Sequence, residues 1–266
     1  MRLKRKVAII VGAGQKPGMT MGNGRATAIL FAREGARVFA IDRNLDSAQE
    51  TVGLIEKDGG EACAFAADVT EEISLQAAVA ACLDRWERID ILHNNVGLSI
   101  AGGDAPVTEI TTEAFDRIVA INLRGMVMAC KYTLPVMRKQ MSGVIINISS
   151  MAAWSNYPYV TYKTTKAAVI ALTQQIAIQN AKYGIRANVI LPGLIDTPMA
   201  VDTRVEMTGR TREEIVAERN ARVPLGKMGT AWDVASAALF LASDEAGFIT
   251  GAALPVDGGQ SVNVGG

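Results

Sequence analysis

Between residues 157 and 168 the chain reads YPYVTYKTTKAA, which holds two overlapping Tyr-x-x-x-Lys pairs: Tyr159 with Lys163, and Tyr162 with Lys166. Side chains four apart on a helix are neighbours. A phenol beside an ammonium is a candidate acid–base couple, because a phenol titrates near 10 when free and a nearby cation favours its ionised form. The same spacing also arises on the solvated edge of any amphipathic helix, so it does not choose between the pairs. Just upstream, Ser149 and Ser150 close the apolar run GVIINISS. Successive strand side chains point to opposite faces, so only one of these hydroxyls can face a given pair.

A second candidate lies near the start, in VGAGQKPGMTMGNGRATA. Glycines let backbone N–H groups approach a pyrophosphate, and the helix that follows adds a favourable dipole. Gly12 and Gly14 fit G-x-G-x-x-G, but the third position is Pro17. Gly22, Asn23 and Gly24 offer a close approach only after a detour through QKPGMT, in which Lys16 could pair with a phosphate. Asp42 ends the next apolar run, where a carboxylate can accept from both ribose hydroxyls of an adenosine and would repel a 2′-phosphate.

Other chemistries fit poorly. The single histidine, His93, sits inside an apolar run and reads as a buried, hydrogen-bonded core residue. One histidine with scattered cysteines makes no metal site. NISSM lacks a G-x-S-x-G elbow, and His93 precedes the serines, which argues against a Ser-His-Asp hydrolase.

These residues need a scaffold, and the apolar pattern supplies one. The runs KVAIIVGAG, RVFAID, EACAFAAD, IDILHNNVG, GVIINISS, GIRANVILPG and AALPVDGG read as strands. Helical patterns separate them, including long ones over roughly 111–139 and 158–182. Strands without polar alternation, joined by helices, imply a parallel sheet covered on both faces. The expected fold is α/β: one doubly wound domain over residues 1–266, with seven parallel strands in the order 3-2-1-4-5-6-7. Ligands in such sheets bind beyond the carboxyl ends of the strands. That edge gathers the 12–24 loop, Asp42, Asp68, Asn94 to Gly97, Ser149, Ser150, Pro192 and Gly193.

Composition narrows the partners. Lys plus Arg equals Asp plus Glu, at 27 each, so nothing favours nucleic acid or an anionic membrane. Apolar residues make up 49% of the chain, enough for a sizeable core. Cys63, Cys82 and Cys130 are odd in number and widely spaced, as expected of reduced thiols in a cytoplasmic protein. MRLKRKVAII begins like a weak signal peptide but meets GAG too soon, and is better read as the first strand.

The motifs taken together resemble the short-chain dehydrogenases/reductases, over nearly the whole chain. The glycine loop, Asp68-Val69-Thr70, NNVG, INLRG with Asn122, NISS, Tyr-x-x-x-Lys, PGLIDTPM and the terminal PVDGG stand in that family's order. The resemblance implies a Rossmann fold and hydride transfer between a nicotinamide dinucleotide and a secondary alcohol or ketone. It also chooses between the tyrosines. The family serine precedes the tyrosine by about a dozen residues, and small residues follow the lysine, which selects Ser150, Tyr162 and Lys166 as catalytic. Tyr159 becomes a pocket or helix-start aromatic, Lys163 a solvated side chain, and Ser149 the serine on the opposite face.

Asn122 is then expected to hold a water that links the lysine to solvent. Asn94 and Gly97 should lie along the adenosine ribose, Asp68 and Val69 beside the adenine, and Ile195 and Thr197 at the carboxamide and phosphates. Pro192 and Gly193 line the same edge. Asp42 points to NAD rather than NADP. A pocket wall is expected from Leu98 to Ile100, Met151 to Tyr159 and the loop after Pro192, including Trp154, Tyr157, Met199 and Val201. It suits an apolar or cyclic alcohol. Residues of about 193–228 resemble the family's substrate lid, and the family is usually a homotetramer. The alternatives are an NADPH-dependent ketoacyl-type reductase, a non-catalytic dinucleotide-binding regulator and a Rossmann-like methyltransferase.

Overall fold

A computed structural model describes residues 1–263; the last three residues of the expected domain lie outside the described residues. Seven parallel strands form one sheet in the order β3-β2-β1-β4-β5-β6-β9. They are β1 (Val7–Val11), β2 (Arg37–Asp42), β3 (Glu61–Ala66), β4 (Ile91–Asn94), β5 (Gly143–Ile148), β6 (Ile185–Pro192) and β9 (Ala253–Val256). This is the doubly wound order expected from the sequence, with β9 as the seventh strand.

The central strand shows why a continuous apolar run is needed. Ala8 and Ile10 face one layer of helices, while Val7, Ile9 and Val11 face the other. The first layer is α1 (Asn23–Arg33), α2 (Leu45–Lys57) and α9 (Ala231–Ala242), which contribute Phe31, Ile55 and Leu239. The second is α3 (Glu72–Trp86), α5 (Gly125–Gln140) and α6 (Val160–Asn180), which contribute Leu75, Cys130 and Ile176. Ala26 of α1 meets Ala231 and Ala235 of α9, and these small side chains let the two helices pack closely. Each face removes a strand's apolar side chains from water, the dominant favourable term in folding.

Three features differ from the sequence reading. The helix expected over 111–139 is α4 (Thr112–Val119) and α5, joined through a π-helical turn, Ala120–Arg124. Such one-turn widenings of a helix are frequent at functional sites. The stretch after β6 holds a two-stranded parallel pair, β7 (Ile195–Asp196) with β8 (Gly229–Thr230). Between those two strands lie α7 (Asp202–Thr208) and α8 (Arg212–Ala221). His93 is buried as expected, but among the described residues neither ring nitrogen has a hydrogen-bond partner. It stacks edge-on against Phe31 at 6.3 Å, and burial depresses its pKa to about 3, so it is a neutral core group. No helix among the described residues is long and apolar enough to cross a membrane.

Candidate active site

The site is built at the carboxyl ends of β1, β4, β5 and β6. Ser149 and Ser150 follow β5 directly and take opposite directions. The Ser149 hydroxyl is buried and donates to the Lys166 carbonyl at 2.6 Å, pinning α6 to the sheet edge. The Ser150 hydroxyl accepts from Ala152 N at 3.1 Å and also faces the Tyr162 phenol closely enough to favour its ionised form.

The start of α6 is set from far away in sequence. Tyr159, at the cap position, offers no side-chain cap. Asp104 supplies it instead: its carboxylate accepts from Thr161 N at 3.0 Å and from Tyr162 N at 2.9 Å. A carboxylate here meets both the unpaired first-turn N–H groups and the positive end of the helix dipole. The same carboxylate takes a long 3.5 Å contact from Ser99 Oγ, which in turn pairs with the Tyr157 hydroxyl at 2.9 Å. The rings of Tyr157 and Tyr162 lie 5.5 Å apart. Asp104, Ser99 and Tyr157 therefore hold the N-terminus of α6 and one side of the phenol.

Of the two Tyr-x-x-x-Lys pairs, one converges on Ser150. Lys166 is only 2% exposed and donates from Nζ to the Ile148 carbonyl at 2.8 Å. That ammonium lies 5.6 Å from the centre of the Tyr162 ring. Lys163 is not the solvated side chain expected of it. Its Nζ donates to the carbonyls of Ser155 at 2.6 Å and Ala152 at 3.2 Å, closing the turn after β5. Tyr159 stacks edge-on against Tyr157 at 5.6 Å, as a helix-start aromatic.

Burial governs the electrostatics of the pair. It pushes the Tyr162 phenol up to about 12 and the Lys166 ammonium down to about 8, since a low-dielectric surrounding disfavours either charge. The protein's own groups thus keep Tyr162 protonated at neutral pH.

Asn122 lies in the π-helical turn with both of its side-chain N–H donors used. Its Oδ1 accepts from Leu98 N at 2.7 Å, and its Nδ2 donates to Leu98 O at 2.9 Å and to Thr165 Oγ1 at 3.2 Å. This clamps the loop after β4 beside Lys166 and leaves the side chain no donor for a water. Gly97 lies in that clamped loop, where an added Cβ would come within 3.1 Å of Lys166 Nζ.

Asn94 is 2% exposed; its amide nitrogen donates to Asn147 Oδ1 at 2.9 Å, and Asn147 donates to Thr173 Oγ1 at 2.9 Å. This ties β4 to β5 and α6, while Asn94 Oδ1 has no hydrogen-bond partner among the described residues. The neighbouring Asn95, which the sequence did not single out, reaches the Gly12 carbonyl at 3.1 Å.

The glycine loop is a cradle that side chains would fill. A Cβ on Gly24 would collide with the Gly12 carbonyl oxygen. One on Gly14 would lie 2.8 Å from Asp42 Oδ2. Asp42 accepts from Gly14 N at 3.1 Å and Asn44 N at 3.0 Å, so it both shapes the turn and ends β2. The detour after Gly14 is stapled by Gln15, which accepts from Gly22 N at 2.8 Å and donates to Thr20 O at 3.2 Å. Asn23 opens α1 just beyond. Gly18 packs on Pro198, so this loop rests on the segment that follows β6.

Asp68 accepts from Thr70 N at 2.8 Å through Oδ1, and Val69 packs over Gly125. Pro192 ends β6, and Gly193 N donates to Val256 O at 2.9 Å. The side chain of Ile195 is buried in the core, which leaves only its backbone for a carboxamide. Thr197 begins the turn into α7, its Oγ1 accepting from Ala200 N at 3.3 Å. Val201 is not pocket wall but belongs to a small core with Ile215 and Met228. Trp154 and Met199 are about half exposed, at 51% and 48%.

A glycine-lined loop leading into a helix, with a serine, a phenol and an ammonium brought together a few strands away, fits an oxidoreductase that uses a dinucleotide. A family model described as enoyl-(acyl carrier protein) reductase matches residues 18–261. The chain is 40% identical over 265 residues to the sorbitol dehydrogenase of Cereibacter sphaeroides, covering 98% of this chain and 99% of that one. A crystal structure from Burkholderia xenovorans, described as a short-chain dehydrogenase/reductase, superposes with a TM-score of 0.91 at 40% identity, covering 99% of each chain. That of levodione reductase superposes at 0.92 with 32% identity, covering 99% of this chain and all of that one. The chain belongs to the short-chain dehydrogenase/reductase family. It is an oxidoreductase, and the family implies a nicotinamide dinucleotide, which the Gly12, Gly14, Gly24 and Gly97 cradle fits.

Proposed function

We propose that this protein is an NAD-dependent dehydrogenase/reductase that interconverts a small secondary alcohol and its ketone, within one domain spanning the chain. The convergence of Ser150, Tyr162 and Lys166 carries this reading. The nicotinamide supplies hydride chemistry and, when oxidised, a positive charge. Ser150 holds the substrate oxygen by a hydrogen bond. Tyr162 gives a proton to that oxygen in ketone reduction and takes it back in alcohol oxidation. Because burial keeps the phenol protonated, the protein alone is set for donation; oxidation needs cations that favour the phenolate, and Lys166 is one. Lys166 also binds the nicotinamide ribose, and the Asn122 backbone holds the water that links it to solvent.

Gly12, Gly14, Gly22, Asn23 and Gly24 take the pyrophosphate, with Asp68 and Val69 at the adenine. Pro192, Gly193, Thr197 and the Ile195 backbone lie along the nicotinamide side. Residues of about 193–228 act as a lid that excludes water. A screen of secondary alcohols with NAD, read by absorbance of the reduced cofactor, tests the activity; no turnover across the screen, with bound NAD, would favour a dinucleotide-binding regulator.

Asp42 favours NAD through the ribose hydroxyls and by repelling a 2′-phosphate. Asp42→Ala should raise the NADP-to-NAD ratio of kcat/KM by at least about tenfold, the worth of one charge-assisted hydrogen bond. An unchanged ratio would leave cofactor choice to other residues, with Lys16 the first candidate. The natural assembly is a homotetramer, a reading supported by exposed Phe248 and by Ile178 on the outer face of α6. Sedimentation should report four copies of the 28.2 kDa chain.

A further inference from the structure

Ser150 and Tyr162 stand on different elements, and two charged side chains outside the Ser–Tyr–Lys set tie those elements down. The first is Lys163, next to Tyr162 in the opening turn of α6. Ser150 starts the 3₁₀ turn Met151–Ala153 and caps it by accepting from Ala152 N. The Lys163 ammonium holds the other end of that turn. Besides its bonds to Ser155 O and Ala152 O, it lies 3.5 Å from Ala153 O. The last carbonyls of a helical turn lack partners within it, and a cation suits them. Ala152 is thus gripped at both ends: its N–H donates to Ser150 Oγ, and its carbonyl accepts from Lys163. A hydroxyl has one proton and two lone pairs. With one lone pair taken by Ala152 N, the Ser150 proton is left for the phenol or the substrate oxygen.

The second is Asp104, in the loop after β4. The first three N–H groups of α6 all go to two residues of that loop. Val160 N donates to Ala105 O at 3.0 Å, and Thr161 N and Tyr162 N donate to the Asp104 carboxylate. Asp104 is 7% exposed, and both its oxygens are used: Oδ1 by Thr161 N and Ala105 N, Oδ2 by Tyr162 N. A carboxylate only accepts; an amide in its place would turn its own N–H donors on one of these groups.

We propose that Lys163 and Asp104 are positioning residues that fix the gap between the Ser150 hydroxyl and the Tyr162 phenol from its two sides. Asp104 holds the backbone that carries the phenol. Lys163 holds the turn that carries the serine against the same stretch of helix. This rests on the proposed alcohol–ketone activity and deepens it, since both hydroxyls must reach one substrate oxygen for the proton to move. A misplacement of about 1 Å costs roughly a hundredfold in rate.

The test compares graded variants. Lys163→Met keeps the reach of the side chain and removes its donors, whereas Lys163→Arg keeps donors. Asp104→Ala removes the cap, whereas Asp104→Asn keeps one accepting oxygen. With kcat expressed per bound NAD, unfolded chains do not count. Lys163→Met and Asp104→Ala should each lose about tenfold to a hundredfold in kcat. KM for NAD should change little, because the glycine cradle lies on β1 and α1. Lys163→Arg should stay within a few fold of wild type, and Asp104→Asn should fall between wild type and Asp104→Ala. Thr111→Ala, which removes the side-chain cap of α4, controls for lost helix capping. It should lower the melting temperature and leave kcat within a few fold. Should Asp104→Ala not fold, Asp104→Asn and the exchanges at Lys163 decide.

Independently of turnover, the carbon-13 signal of the Tyr162 ring carbon bearing oxygen reports at pH 7 what meets its hydroxyl. Lys163→Met should move it in the direction that Ser150→Ala does, Asp104→Asn should move it too, and Thr111→Ala should leave it in place. Wild-type kcat or an unmoved signal in both Lys163→Met and Asp104→Asn would overturn the proposal and leave the dehydrogenase reading intact. So would a loss of kcat in Thr111→Ala as large as that in Asp104→Ala. A wild type that turns over no screened alcohol would count against the dehydrogenase reading itself, and the signal would still decide whether Lys163 and Asp104 place the phenol.

Discussion

Tyr162→Phe should lower kcat by about a hundredfold to ten-thousandfold, the usual contribution of a positioned general acid or base. Tyr159→Phe should leave kcat within a few fold. The contrast follows from geometry. The Tyr162 ring has Ser150 at its hydroxyl, Lys166 Nζ at 5.6 Å and Tyr157 packed at 5.5 Å. Tyr159 has only its edge contact with Tyr157, and its lysine partner is occupied with the turn carbonyls. Removing one hydroxyl from Tyr162 leaves the ring packing, so KM for NAD should change little. A Tyr159→Phe enzyme as impaired as Tyr162→Phe would mean that the wrong pair had been assigned.

Lys166→Met should separate activity from stability. Its ammonium is almost fully buried and makes one hydrogen bond, to Ile148 O. Burial depresses its pKa from 10.5 to about 8. Carrying that charge at pH 7 costs the folded state about 3 kcal/mol. Losing the bond to Ile148 O costs about 1–3 kcal/mol, and methionine fills nearly the same space. The variant should therefore unfold at an equal or higher denaturant midpoint than the wild type at pH 7, while losing at least about a hundredfold in kcat, as for removal of one preorganised electrostatic group.

The pH dependence follows from the direction of the shift. The folded-state pKa lies below the unfolded one. Between about 8 and 10.5 the unfolded chain therefore keeps a proton that the folded chain has released. Wild-type stability should rise relative to Lys166→Met across that window, and the difference should be flat below pH 7. Urea midpoints at pH 7, 8, 9 and 10 check this. A variant much less stable than wild type at pH 7 would mean that Lys166 holds the fold rather than the chemistry.

Much of this site could be read from residue order because local rules and family spacing agree. The alternation of Val7, Ile9 and Val11 with Ala8 and Ile10 demands a strand covered on both sides, and Gly12 and Gly14 of the cradle follow that strand directly. Strand alternation and helix periodicity left Ser149 or Ser150, and Tyr159 or Tyr162, both open; the serine-to-tyrosine spacing of the family resemblance selected Ser150 and Tyr162.

What escaped the sequence depends on contacts between distant segments. Asp104 caps α6 from 57 residues upstream, and no local signature marks a cap supplied by another loop. Asn94 sits in a motif that suggests a ligand, but its strand position turns it towards Asn147. Lys163 had its solvent place taken by a turn whose carbonyls only the folded chain assembles. The π-helical turn at Asn122 has no composition of its own, and from it Asn122 bonds Leu98 and Thr165 at once.

The central claim is that one buried phenol carries the proton and that charge at the dinucleotide end makes it ionise. The direct measurement is the NMR titration of tyrosine labelled with carbon-13 at the ring carbon bearing oxygen, with Tyr162 assigned by its loss in Tyr162→Phe. The account predicts that Tyr162 stays protonated to about pH 11, in line with a phenol pushed up to about 12, and ionises well below that once NAD is bound. A Tyr162 signal that titrates near 10 like an exposed tyrosine, and does not move when NAD is added, would contradict it.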